Sequence, residues 1–300
     1  MKKVLIVLLT LVMLVCGAGL NVYAAGSSTS SQTITVMSFN VRVDLIKNGR
    51  DKLVIDTIKQ NAPDVFGVQE ADITWMNKLK SGLPGYAAIG KGRDWWGAGE
   101  HCAIFYRTDK FKAIASDTRW LSSTPTKESV YSYTENGKTY KANDKRIMTY
   151  AVLERKSDGA RFLFVSTHLD NNGNNSLAVA EKIRQGQIEV MMKQIQGVLN
   201  ARGNLPVIIV GDFNATPEKS ACKTMLAKGY SDASKVAAQG TAQSTYNGMS
   251  EGTSAILDYI FVSSNLKSAV KTYTVCPSKK NGQWISDHNA IVATINVPKV

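Results

Sequence analysis

Cysteine is scarce in this chain: four in 300 residues, at positions 16, 102, 222 and 276. So few exclude a disulfide scaffold, and no two have the spacing of a zinc knuckle. One bridge stays open, and whether Cys222 and Cys276 pair is undecided. Cys102 lies in an apolar stretch and reads as core. Histidine is scarcer still, with three in all. No internal repeat is visible, no shift in composition marks a domain border, and the lysines and arginines are scattered rather than massed.

What is present begins with a leader pattern. Met1-Lys2-Lys3 is basic, Val4 to Val15 is apolar apart from Thr10, and Val22 and Ala24 sit at −3 and −1 of a cleavage site. Residues 1–24 read as a secretory signal peptide, which implies an extracellular protein. The apolar core is short for a membrane span. Cys16 follows Val15, too large for a lipobox, so lipoprotein anchoring is not expected. Residues 25–32 form a Ser-rich linker, expected to be disordered, and 33–300 one large domain. The formal charge is +12. A basic exported protein meets anions such as nucleic acid, anionic lipid or phosphorylated small molecules, unless the excess serves solubility alone.

Hydrophobic periodicity predicts strands at Thr33–Val41, Asp64–Glu70, Tyr86–Ile89, His101–Arg107, Arg146–Leu153, Arg161–Thr167, Pro206–Val210, Ile256–Val262, Val270–Val275 and Ala290–Val297. Helices are predicted over Asp51–Asn61, after an Asp72 cap, from Ser176 to about Asn200, and from Pro217. Asn136-Gly137 signals a type I′ hairpin, and Ser157-Asp158-Gly159 a second hairpin turn. Strands outnumber helices and many meet in hairpins, so one α/β domain with mostly antiparallel or mixed sheets is expected.

Five strand ends deliver polar groups: Asn40; Glu70; His168 with Asp170; Asp212 with Asn214; Asp287 with His288. Five on one chain suggest a common edge. The run Pro206–Val210 is a buried strand that stops at Gly211-Asp212-Phe213-Asn214, placing a carboxylate and a carboxamide two residues apart on one side of an extended chain. Glu70, Asp212 and Asp287 are hard oxygen donors without a cysteine pair, which favours Mg²⁺, Mn²⁺ or Ca²⁺ over zinc. Such a cation suits phosphate substrates. A His can move a proton there, and a buried Asp can fix its tautomer.

These residues resemble the endonuclease/exonuclease/phosphatase superfamily, the group of deoxyribonuclease I, apurinic endonucleases, neutral sphingomyelinases and inositol-polyphosphate 5-phosphatases. The likeness runs from about Ile34 to Ile295. It is carried, in order, by Ser38-Phe39-Asn40, Gln69-Glu70, Glu100 before an Ile-Phe-Tyr strand, Thr167-His168-Leu169, Gly211-Asp212-Phe213-Asn214, Leu257-Asp258-Tyr259-Ile260 and Ser286-Asp287-His288. The resemblance implies a four-layer α/β sandwich, two sheets face to face with helices outside, and a Mg²⁺ (or Mn²⁺) cofactor. It implies Glu70 as main metal ligand with Asn40 beside it, Asp287 as a second-site ligand, and Asp212 and Asn214 holding the attacking water, the metal and the phosphate. His288 is implied as general base or phosphate contact, oriented by Asp258. His168 is implied as phosphate contact or general acid, with Glu100 as its partner, and Arg146 as a phosphate contact. Glu100 and Arg146 also read as ordinary strand-end charges, and Asp170 as a turn cap.

The apurinic-endonuclease branch carries Tyr where this chain has His168, which points to the nuclease I, sphingomyelinase, deadenylase or phosphatase branches. The 5-phosphatase branch differs after its Gly-Asp. In the Gly90–Gly99 loop, Trp95 and Trp96 can stack on a base, dip into a membrane surface or cover a core edge; Lys91 and Arg93 favour an anion, and Trp284 is expected to line the same pocket. The first expectation is a secreted, metal-dependent phosphodiesterase with nuclease activity. Hydrolysis of a phospholipid head group or a small phosphate ester on the same site is the alternative, and a non-catalytic anion-binding module the remote one. No obligate protein partner is implied, and a monomer is expected.

Overall fold

The structure is a computed structural model that describes residues 32–43, 49–240 and 242–299. The leader and all of the Ser-rich linker except Gln32 lie outside the described residues. In chain order the main elements are β1 (Gln32–Asn40), α1 (Arg50–Asn61), β2 (Val65–Gln69), α2 (Ile73–Gly82), β3 (Tyr86–Ile89), β4 (Ile104–Arg107) and β5 (Phe111–Trp120). A hairpin of β6 (Ser132–Glu135) and β7 (Lys138–Lys141) follows, then β8 (Ile147–Arg155), β9 (Arg161–His168), α3 (Leu177–Arg202), β10 (Val207–Asp212) and α4 (Ser220–Ala227). The chain closes with β11 (Ser231–Asp232), α5 (Ala233–Val236), β12 (Asp258–Val262), β13 (Val270–Val275), β14 (Lys279–Lys280), β15 (Gln283–Trp284) and β16 (Ile291–Val297).

Two six-stranded sheets result, ordered β13-β16-β1-β2-β4-β3 and β11-β12-β10-β9-β8-β5. Both are mixed: β1–β2 and β9–β10 run parallel, each pair bridged by a helix, and the other pairs are antiparallel. Alternation along the strands assigns the layers. Ile34 and Val36 of β1, Phe162 and Phe164 of β9, and Ile208 and Val210 of β10 meet in the core between the sheets. Met37, Phe39, Phe66 and Val68 face outward, beneath Val54 and Ile58 of α1 and Trp75 and Leu79 of α2. Leu163, Val165, Val207 and Ile209 face outward beneath Ile188, Met191 and Ile195 of α3 and Met225 of α4. This is the four-layer α/β sandwich. Both faces of the central strands are buried, so they read as apolar runs rather than as half-polar alternation.

Three expectations change at this level. β5 has no counterpart among the predicted strands. It is an edge strand paired only with β8, and a bulge between Ala113 and Ala115 shifts its register, which interrupts the period-two signal. The helix after β10 begins at Ser220 rather than Pro217, because Thr216 closes a local turn: its hydroxyl donates to the Glu218 carboxylate and its carbonyl accepts from Lys219 N–H. The strand expected from His101 begins at Ile104, and His101 instead bridges Ala71 through its backbone. The Asp72 and Ser176 caps are present, accepting from Trp75 N and Val179 N. Asn136 and Gly137 both have positive φ (52° and 75°), as the I′ turn requires. Cys102, Cys222 and Cys276 are all buried and free.

Candidate active site

Alternation also decides what stands at the end of the inner faces. Continuing Ile34–Val36 along β1 leads to Ser38 and Asn40; continuing Phe162–Phe164 along β9 leads to Ser166 and His168; continuing Ile208–Val210 leads to Asp212. On antiparallel β12 the inner residues Ile260 and Val262 run back to Asp258. In the ladder, Asp212 lies opposite both His168 and Asp258. The core between the sheets thus passes through a thin polar layer, Ser38–Gln69–Ser166, where Gln69 Nε2 donates to Ser166 Oγ at 3.2 Å, and then opens into acids, amides and imidazoles.

Asn40 ties the two sheets together at this floor. Its Nδ2 donates to Glu70 Oε1 at 2.9 Å and to Asp212 Oδ2 at 3.0 Å. Glu70 would face outward with Phe66 and Val68 if β2 continued, but its φ of +59° turns it out of the strand toward Asn40. Asn214 also has a left-handed backbone, φ +47°, and its N–H donates to Asp212 Oδ1 at 2.8 Å. Such conformations cost about 1–3 kcal/mol each for non-glycine residues and cluster at working sites. Asn214 Nδ2 donates to His168 Nε2 at 2.9 Å and to the Leu169 carbonyl at 3.0 Å.

His288 reaches the floor from the loop before β16. Its Nδ1 is 2.8 Å from Asp258 Oδ2, and its Nε2 is 3.5 Å from Asp212 Oδ2. Ser286 anchors that loop by donating to the Asn40 carbonyl at 2.7 Å. The buried Arg50 guanidinium braces it further, donating to the carbonyls of Val41, Arg42 and Ile285. Asp287 stands at the rim, 3.4 Å from Arg42 Nη1. Tyr246 packs edge-on against the His288 ring.

The far wall is cationic and acidic in alternation. Arg93 Nη2 lies 2.8 Å from Glu100 and 3.5 Å from Asp144; Arg146 lies 3.3 Å from Asp144 and 3.5 Å from the buried Asp170. Floor and wall enclose one cavity of about 440 Å³, lined by Glu70, His168, Asp212, Asn214, Asp287 and His288 on one side and Arg93, Glu100, Asp144 and Arg146 on the other. Three expectations are corrected here. Glu100 pairs with Arg93, not with His168, whose Nε2 is engaged by Asn214 and Asp212. Trp284 does not line the cavity; it carries Lys279 Nζ over its ring at 4.1 Å. Trp95 and Trp96 cover no core edge, being 71% and 98% exposed. Asp170 is a structural brace, accepting from the backbone N–H groups of Asn143 and Asp144.

Charge states follow from this packing. Burial lifts the Asp212 carboxyl, which the His288 charge lowers and Asp258 lifts again, leaving it at about 6. Burial alone would depress His288, but the carboxylates of Asp258 and Asp212 outweigh it and raise it to about 10. Burial, with the charges of Arg146, Arg93 and His288, holds His168 well below the ordinary histidine value. The two imidazoles therefore differ near neutrality: His288 carries a proton on both nitrogens, and His168 is neutral and accepts from Asn214.

A hard divalent cation fits this donor set. One ligand atom from each of Glu70, His168 and Asp212 lies within 4.8 Å of the others, and the Asn40 carboxamide joins Glu70 to Asp212. Asp287 stands outside this group but on the same cavity. Arg93, Asp144 and Tyr246 are functional neighbours that the search for strand ends passed over, because each sits in an irregular loop with no periodicity to betray it; only the cationic Gly90–Gly99 loop hinted at Arg93.

A family model described as "Endonuclease/Exonuclease/phosphatase family" matches residues 37–288. Among solved structures, an endonuclease/exonuclease/phosphatase family protein from Bacteroides thetaiotaomicron superposes with a TM-score of 0.77 at 27% identity, covering 89% of this chain and 96% of that one. A mannosyl-6-phosphatase from the same organism superposes with a TM-score of 0.73 at 28% identity, covering 87% and 98%. Nocturnin of Drosophila melanogaster is 26% identical over 59% of this chain, and the match spans 25% of that protein's length.

Proposed function

Because the chain belongs to the endonuclease/exonuclease/phosphatase family, we propose that it is a divalent-metal-dependent phosphoesterase acting on a compact phosphorylated ligand. One observation carries the reading: Asn40, Glu70, His168, Asp212 and the Asp258–His288 pair converge at the floor of a single charged cavity. Glu70 and Asp212, joined through Asn40 Nδ2, would hold Mg²⁺ or Mn²⁺, which would offset the negative charge of a phosphate ester.

The protein's own groups divide the rest. Asp212, whose Oδ2 stands between the two imidazoles, is placed to take the proton of the attacking water. The Asn214 backbone N–H fixes its carboxylate, while Asn214 Nδ2 donates to the neutral His168 beside it. Asp258 fixes the His288 ring, whose Nε2 is turned toward Asp212 on the cavity floor, where it would meet a bound phosphate ester. Arg93 and Arg146 supply donors to the remaining phosphate oxygens from the far wall. The new bond forms from water oxygen to phosphorus as the water proton passes to Asp212, the ester P–O bond breaks, and the alkoxide takes the proton of His288 Nε2.

The cations at the rim favour a small ligand over a long polyanion. Arg42, Arg93, Lys145 and Arg146 each face a carboxylate, so no uncompensated basic stripe leads away from the cavity along them. The likeness to a mannosyl-6-phosphatase over 87% of this chain supports a phosphomonoester of a sugar. The formal charge of +12 favours a second reading, hydrolysis of nucleic acid. Export through the 1–24 leader remains part of the proposal. The test is a panel with Mg²⁺ and Mn²⁺: sugar phosphates, p-nitrophenyl phosphate, plasmid DNA, RNA, and sphingomyelin liposomes. Release of phosphate from the sugar esters, abolished by EDTA and by Glu70→Ala, is expected. Cleavage of nucleic acid alone would favour the second reading, and turnover of nothing would overturn both.

A further inference from the structure

Two indoles stand in water beside the cavity, and nothing in folding accounts for them. Trp95 and Trp96 form the tip of a loop whose two stems deliver Arg93 and Glu100 to the cavity wall. The loop is held firmly. Gly92 N–H donates to Gly97 O, Asp94 N–H to Ala98 O and Arg93 N–H to Glu100 O, at 2.9–3.1 Å. Trp120 Nε1 donates to the Arg93 carbonyl at 2.9 Å, and Lys145 Nζ to Asp94 at 2.9 Å. The stems approach so closely that a Cβ on Gly92 would lie 1.9 Å from Ala98 O. Within this frame Trp96 holds φ +58°, a left-handed conformation that is an outlier for a bulky side chain. A pinned loop that keeps a strained tryptophan almost wholly in solvent points to a ligand.

We propose that Trp95 and Trp96 form a second subsite, which takes the apolar face of a pyranose ring linked to the phosphorylated ring held in the cavity. This rests on the phosphoesterase reading above and deepens it: the substrate is a phosphorylated glycan of at least two rings. The loop's stems bring Arg93 and Glu100 to the cavity of about 440 Å³, so a ring linked to one held there can reach toward the loop's tip. The ring centroids of the two indoles are 6.4 Å apart and tilted by 49°, so they do not stack on one another and their faces stay open. A neutral ring also suits the local charge. Lys91 lies over the Trp120 ring, Arg93 holds Glu100, and Lys145 is shared by Asp94 and Glu128. These cations are each engaged with a ring or a carboxylate, which leaves the two indoles as the exposed feature of the loop.

The experiment compares mannose 6-phosphate with a 6-phosphorylated mannobiose in the wild-type protein and in the Trp95→Ala and Trp96→Gly variants. Trp96→Gly removes the indole while suiting the left-handed backbone, so loss of fold does not confound it. Two readouts are taken: the ratio of kcat/KM for the two esters, and the NMR shifts of the indole N–H signals on titration. The ratio is expected to favour the disaccharide about tenfold in the wild type and to approach unity in both variants, with the Trp95 and Trp96 signals moving only for the disaccharide. An equal ratio in the wild type, or one the variants leave intact, would overturn the proposal. So would indole signals that respond to anionic liposomes or a dinucleotide and not to the disaccharide. Indole shifts with the disaccharide but no phosphate released from any ester would instead sink the phosphoesterase reading and leave the subsite standing.

Discussion

Replacing Asp258 by Asn removes one charge and almost no volume. Asp258 is 1% exposed and its Oδ2 is 2.8 Å from His288 Nδ1. Burial works against a charged His288, and Asp258 is the largest of the influences that raise it to about 10 from 6.5. Its loss therefore lowers His288 and weakens the preference for the charged ring. The ring also loses the partner that fixes which nitrogen faces the phosphate. A positioned proton donor contributes about 10²–10⁴-fold to rate, so Asp258→Asn is expected to lower kcat by that amount with KM little changed. The assay is phosphate release at saturating Mg²⁺, paired with NMR titration of the His288 ring in the metal-free protein, where the midpoint should move down from about 10. A folded variant that keeps kcat within about threefold of wild type, or whose His288 midpoint stays put, would refute the reasoning.

Other expectations follow from the same packing. In Gly67→Ala the new Cβ would meet Ser166 Oγ and Val210 Cγ2 at 2.6 Å across the inter-sheet layer, so the urea midpoint should fall by the equivalent of about 1–3 kcal/mol; an unchanged midpoint would mean that the sheets are not so closely opposed. His288 has a raised folded-state value, so its contribution to stability is complete below pH 6.5 and is lost as pH rises toward about 10. The metal-free protein should therefore melt at falling temperature across that window, and Asp258→Asn should flatten the slope; a flat wild-type profile would contradict the ion pair.

The parts of the site that were legible beforehand are those that regular strands place. Asn40, His168 and Asp212 stand at strand ends on inner faces, in step with Val36, Phe164 and Val210, so period-two alternation brings them to one edge, whereas Asp258, in step with Ile260, is signalled only by the family resemblance. Glu70 was found by its position after β2, although only its left-handed backbone explains how it turns inward. The far wall was less legible. The family resemblance implied Glu100 as the partner of His168, but Arg93, seven residues away, lies within 2.8 Å and is permanently charged, so the ion pair forms there. Tyr246 and Asp144 lie in loops whose course depends on tertiary contacts, which no local period encodes. β5 escaped for a related reason: an edge strand with a bulge keeps neither a continuous apolar run nor a strict alternation.

Convergence of distant segments on one cation site is most directly tested by Mn²⁺ binding to the purified protein, followed by calorimetry and by the electron paramagnetic resonance of the free ion. Wild-type protein should bind Mn²⁺ at a distinct strong site. Glu70→Ala and Asp212→Ala, which alter positions far apart in sequence but joined through Asn40, should each weaken that one site at least about 100-fold. Retention of full Mn²⁺ affinity by either folded variant would contradict a shared site.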